Sequence, residues 1–227
     1  MRKKVFYTEL SYVFGLVIMA FAAAFTEKAD FGMSMVVAPA YILHLKLSQV
    51  WSWFTFGVAE YIFQGFLVVL TAILMRKWKL SYLFSFVTAV LYGTLLDLAM
   101  TMIAPLPDSG FAIRVLWYVL GTVFCSVAVS LFFHTYLAPE AYELIVKELA
   151  LKSKKNINQI KTVYDCTSVV LGIVMSFAFF GFGVFKGVRL GTVICALING
   201  FLIGRFSKLL ERFFRFENKF QPPKCMQ

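Results

Sequence analysis

A chain of 227 residues that is 60% hydrophobic and only 15% charged is too apolar for an ordinary soluble domain, which is roughly 45–50% apolar and about 25% charged. Its mean hydropathy of +0.79 is that of a polytopic membrane protein. The net charge of +10 does not describe a nucleic-acid binder, because the basic residues are spread over several segments between apolar runs instead of forming one patch.

About 20 residues at 1.5 Å each cross a hydrocarbon core of roughly 30 Å, and six apolar runs approach or exceed that length: 10–25, 54–75, 82–103, 111–137, 163–185 and 188–206. The first follows "MRKK" and contains "AFAAAF", but further spans come after it, so it reads as a span rather than a cleavable leader. The runs are continuous and lack a period of two, which favours helices over a barrel. With the N-terminus inside, 17 Lys and Arg residues fall on the inner side and five on the outer. This is a positive-inside distribution, and it requires an even number of spans. The expected fold is an all-α membrane protein with six transmembrane helices and both termini cytoplasmic, forming one membrane domain. The tail at about 205–227 carries Phe206, Leu209, Leu210, Phe213, Phe216 and Phe220 at roughly helical spacing, with basic residues between them. It suits an amphipathic helix on an anionic inner leaflet; a flank continuing the last span is the alternative.

The two halves echo each other. Tyr12-Val13-Phe14-Gly15 matches Tyr118-Val119-Leu120-Gly121, Ala38-Pro39 matches Ala138-Pro139, and Gly93-Thr94 matches Gly191-Thr192 in the same order. By depth in the span, Gly93 pairs better with Gly200. The matches suggest two repeats, at about 8–105 and 111–207. Each has an odd number of spans, so the copies would be inverted in the membrane, as in many transporters. Pro39 and Pro139 suit the first turn of a helix. "EAYELIVKELALKSKK" after Pro139 reads as an amphipathic cytoplasmic helix lying in water, with Glu140 and Glu143 near its positive N-terminus. The outer "PAYILHLKLSQVW" is more apolar and suits a re-entrant or interfacial helix.

The cysteines (Cys125, Cys166, Cys195, Cys225) and histidines (His44, His134) form no CxxC, HExxH or other metal signature, so neither a cofactor nor an enzyme is expected. No GxxxxGK[ST] is present, which leaves an ion gradient or a partner as the energy source. Ionisable groups inside spans usually face a cavity or a partner. Glu60 lies about 10 Å into span two and Asp97 at a similar depth in span three, with Gln64 one turn from Glu60 on the same face. Two carboxylates sharing one outer-half cavity would suit proton coupling; pairing with Arg114, which opens span four, is the alternative. Asp165 beside Lys161 reads as an ion pair or a helix start. Asn199, Thr94 and Thr192 are candidate substrate contacts or helix-joining groups. Gly187/Gly191 and Gly200/Gly204 have the spacing of close helix packing, and Ala20/Ala24 offers a face for a partner or a second copy.

The segments "LAPEAYELIVKEL", "IKTVYDCTSVVLG" and "GVFKGVRLGTVICALINGFLIGRF" resemble the second half of bacterial YczE/YyaS/YitT-type membrane proteins. The pattern there is a Pro-led helix start, an aspartate opening span five and a G-x-G-T element opening span six. The corresponding positions here are Pro139, Asp165 and Gly191-Thr192, and Arg189 stands where that element has its first glycine. The resemblance implies six spans, a bacterial inner-membrane location and a leaning towards small-molecule export. The expected function is a secondary transporter of an unidentified small molecule, with proton-coupled export as one form. A substrate-capture subunit of a larger uptake system and a non-transporting membrane scaffold are the alternatives.

Overall fold

The computed structural model describes residues 4–135, 137, 140–155 and 157–218. Six helices in it are long and apolar enough to cross a membrane: α1 (Thr8–Ala29), α3 (Phe56–Met75), α4 (Leu80–Ile103), α5 (Phe111–Phe132), α7 (Ile157–Phe180) and α8 (Leu190–Phe213). Between them lie two short helices, α2 (Ala38–Leu47) and α6 (Ala141–Ser153). Strands β1 (Lys4–Tyr7) and β2 (Phe214–Glu217) pair in parallel, so the segment before α1 lies beside the segment after α8. The chain is therefore a multi-pass, all-helical membrane protein with one small ribbon.

The helix ends follow from local chemistry. Asp30, Arg76 and Lys154 take the left-handed conformation just after α1, α3 and α6, a common way to stop a helix and turn the chain. Thr55 caps α3 by accepting the Val58 N–H at 3.2 Å, and Pro39 sits in the first turn of α2, where its missing N–H costs nothing.

Helices α1 and α5 form the central pair. Gly15 meets the Phe132 ring at one end of this crossing, and Gly121 meets Ala22 and Thr26 at the other. Outside that pair, α1 packs on α4 and α5 on α8, while α3 packs on α2, α4 and α6 and α7 packs on α2 and α6. Helices α3 and α4 touch backbone to backbone: a Cβ on Gly93 would lie 2.6 Å from the Gly57 carbonyl oxygen. No comparable contact joins α7 to α8 among the described residues, and a Cβ at Gly200 or Gly204 would meet open space. The close packing expected of that glycine pair does not occur among the described residues, whereas Gly187 and Gly191 do pack, against Ile42 and Phe31.

Several boundaries and one helix setting depart from the sequence reading, and the tail follows the alternative given for it. Span four stops at Phe132, five residues earlier than expected. Helix α8 runs on to Phe213 and ends in β2, so the basic segment from 205 continues the last helix; residues 219–227 lie outside the described residues, as do Ala138 and Pro139. Helix α6 is amphipathic, with Lys147, Leu151 and Lys152 exposed, but its other face is buried in the bundle instead of lying free in water. Ala141, Tyr142, Leu144, Ile145, Val146, Glu148 and Ala150 are buried, because α6 is wedged among α3, α4 and α7. Its two glutamates are paired in place, with Lys79 Nζ 2.6 Å from Glu148 Oε1 and Lys161 Nζ 2.8 Å from Glu143 Oε1.

Candidate functional site

Helix α3 is apolar except on the face that meets α6. There Glu60 and Gln64, one turn apart, are both fully buried. The Tyr142 hydroxyl of α6 donates to Glu60 Oε2 at 2.8 Å, and Gln64 Nε2 donates to the same oxygen at 3.3 Å. Gln64 Oε1 in turn accepts the Ala141 N–H at 3.2 Å. That N–H belongs to the first turn of α6, where helical N–H groups have no partner inside the helix and the end carries partial positive charge. A short helix therefore enters the bundle and presents its positive end to a buried carboxylate. At its other end, Lys152 donates to the Leu74 carbonyl near the end of α3, so α6, about 20 Å long, lies along α3 from Glu60 to the turn between α3 and α4.

The second oxygen of Glu60, Oε1, is buried and has no hydrogen-bond partner among the described residues, and neither has Oε1 of Glu140, which immediately precedes α6. No lysine or arginine forms an ion pair with Glu60 among the described residues. Glu140 lies outside the six spans. Burial, reinforced by the Glu60 and Glu143 carboxylates and opposed by Lys161, pushes its carboxyl up to about 8. Aromatic groups enclose the pair: Tyr92 of α4 is buried within electrostatic reach of both acids, and Phe63 lies with its ring 6.3 Å from that of Tyr142. Burying an ionised carboxylate without an ion-pair partner costs several kcal/mol, so two such groups, neither ion-paired among the described residues, are suited to holding protons.

The remaining sequence candidates lie elsewhere. Asp97 does not share a cavity with Glu60. Its Oδ2 accepts from Thr55 Oγ1 at 2.6 Å and its Oδ1 from the Gly57 N–H at 2.8 Å, so it caps α3 across the glycine crossing. Arg114 pairs with neither acid. It donates to the Ala29 carbonyl at 2.8 Å and to Asp30 Oδ2 at 3.0 Å, and Arg189 reaches the same carboxylate at 2.6 Å. Thr94 is exposed and turns back to the Leu91 carbonyl at 2.9 Å. Asp165 lies 3.4 Å from Lys161, which also holds Glu143 of α6. Asn199 joins α8 to α5 by accepting from Ser126 Oγ at 2.7 Å. Thr192 is buried and caps α8 by accepting the Arg189 N–H at 3.2 Å; Arg189 has φ −138° there, extended backbone that needs no glycine.

Of the eight candidates the structure brings only Glu60 and Gln64 together, and it adds Tyr142 and Glu140, which sequence reasoning had not placed at the site. Their signal was present in "LAPEAYE", already marked as a repeat anchor, but the charge density of α6 argued for solvent.

The family of unknown function DUF6198 matches residues 6–208. The chain belongs to this family. The match covers Glu60, Gln64, Glu140 and Tyr142. No curated protein and no solved structure matches the chain.

Proposed function

We propose that this DUF6198 member is a secondary transporter of a small molecule, coupled to protons through Glu60, with Glu140 as a second carrier. The observation that carries the proposal is the fully buried, cation-free Glu60 carboxylate held by Tyr142 and Gln64 at the end of a helix that enters the bundle. A carboxylate so placed is expensive in a purely structural role, and intramembrane acids of this kind mark proton and substrate routes.

The contacts also support an inverted 3+3 repeat. Ser11 donates to the Leu131 carbonyl at 2.8 Å, while Trp117 stacks on Phe25 at 5.4 Å; Gly15 meets Phe132, while Gly121 meets Thr26. Ser11 to Trp117, Phe25 to Leu131, Gly15 to Gly121 and Thr26 to Phe132 are each 106 positions apart in the sequence. Each contact thus has a counterpart with the halves exchanged, as a twofold axis between α1 and α5 would give. The pairings α1 with α4 and α5 with α8, and α3 with α6 and α7 with α2, follow the same exchange. Cytoplasmic N- and C-terminal ends follow from the sorting of Lys and Arg, and the pairing of β1 with β2 agrees with both ends lying on one side. A bacterial inner membrane and an outward direction rest on the sequence resemblance alone.

A second reading, a subunit of a larger uptake system, is favoured by the open Gly200/Gly204 face of α8. The deciding measurement is proton movement in proteoliposomes loaded with pyranine, under an imposed pH gradient, during a screen of small solutes. A solute-dependent proton signal in the wild type that Glu60→Gln abolishes supports the proposal. A signal that survives in Glu60→Gln removes Glu60 from the mechanism, and co-purification with an ATPase module together with no signal favours the subunit.

A further inference from the structure

The cytoplasmic turn between α3 and α4 has features that proton transport does not use. Met75, Lys77 and Lys79 meet Glu148, Leu151 and Lys152 of α6 around a shallow, largely open depression. Three lysines face one glutamate, which leaves a net charge of +2 at its wall. Glu148 is held by Lys79 and Lys152 is turned towards the Leu74 carbonyl, while Lys77 forms no ion pair among the described residues. Leu151, which also lines it, is 64% exposed. Because α3 and α4 are both spans, the turn between them lies at the membrane boundary, and Trp78 within it is 73% exposed, as expected of an interfacial aromatic anchor. Ile73 of α3 and Leu83 of α4, in the turns that flank this loop, are also exposed.

We propose that this basic depression binds the phosphate of an anionic phospholipid, whose acyl chains lie against the exposed apolar surface of the adjoining spans. A solvated surface would not need exposed Leu151 beside its charges, and a plain lipid-facing surface would not gather three lysines in one place. Basic pockets between spans on the cytoplasmic side have the chemistry for such headgroups, and long lysine stems can lie along apolar surface while their charges reach the phosphate. The site is independent of the transport proposal, although α6 links the two physically: it carries Lys152 at one end and Tyr142 at the other.

The test uses the full chain in mild detergent, with native mass spectrometry after incubation with phosphatidylglycerol or phosphatidylcholine. The wild type should retain phosphatidylglycerol with about a tenfold preference. The preference should disappear in Lys77→Gln/Lys79→Gln/Lys152→Gln and persist in Arg205→Gln/Lys208→Gln/Arg212→Gln, which removes the same charge from α8. Equal loss in both variants overturns the site in favour of diffuse attraction, and so does the absence of any preference in the wild type. Thermal stabilisation by inorganic phosphate as large as that by phosphatidylglycerol overturns the lipid in favour of a free anion. Should the triple variant fail to fold, Lys77→Glu, which breaks no ion pair seen here, must reduce the preference or the proposal falls.

Discussion

The first half of the chain, α1 to α4, and the second, α5 to α8, are built from similar parts but closed differently. In the first, Gly57 and Gly93 let α3 and α4 touch backbone to backbone. In the second, α8 packs on α5 and leans on β2, standing away from α7, with Gly200 and Gly204 facing open space. Small residues permit close approach but do not cause it; a partner helix must also present a complementary face. The first half is therefore the rigid one, and the surfaces with freedom to move or to take a partner belong to the second.

The largest expected effect tests this contrast directly. Gly57→Val should cost at least about 3 kcal/mol through overpacking and abolish a monodisperse peak in size-exclusion chromatography, whereas Gly200→Val should shift stability by no more than about 0.5 kcal/mol. Equal damage at both positions would remove the contrast.

The candidate site joins the two halves, α3 from one and α6 from the other, so its variants show how strongly they are tied. Glu60→Ala leaves the Tyr142 hydroxyl without its acceptor and opens a hole, for an expected loss of about 2–4 kcal/mol. Glu60→Gln keeps an acceptor oxygen and should melt close to wild type. A pH series tests the second-half partner. Glu140 ionises near its ordinary value of 4.5 in the unfolded chain and near 8 when folded. Folding therefore takes up a proton between those values, and the stability Glu140 contributes is complete below the lower and lost as pH rises through the higher. The melting temperature should fall from pH 6 to pH 9, and Glu140→Gln should flatten that decline.

Smaller effects are expected at the edges. Asp97→Asn weakens the cap across the glycine crossing by about 1 kcal/mol and should leave proton movement intact; its loss would return Asp97 to the site. Asp30→Asn disturbs a partly exposed contact to Arg114 and Arg189 and should cost less than about 1 kcal/mol in thermal melts.

The six spans were legible because hydropathy over 20 residues reports burial in lipid directly. Glu60 and Gln64 were legible for the converse reason, as polar side chains within an apolar run. The same criterion misplaced Asp97, since a carboxylate within a span can serve the exposed N–H groups of a neighbouring helix, and only the Gly57/Gly93 contact reveals that neighbour. Helix α6 was misread because charge was equated with solvent. Glu143 and Glu148 each have a lysine from another segment, Lys161 and Lys79, and such pairs are invisible to local periodicity. Tyr142, lying among ordinary core residues, carried no signal beyond the repeated "AP…Y".

The ribbon of β1 and β2 has a consequence for biogenesis. Two-stranded sheets are marginal alone; this one is supported by Phe6 against Phe214 and Phe216 and by His134 stacked on Phe216 at 4.1 Å. Thr8 contacts Asn218 across 210 positions of sequence. During synthesis the strand emerging ahead of the first span must wait, unpaired, until the last span has left the ribosome. The ribbon is thus a clasp that can close only on a completely inserted bundle.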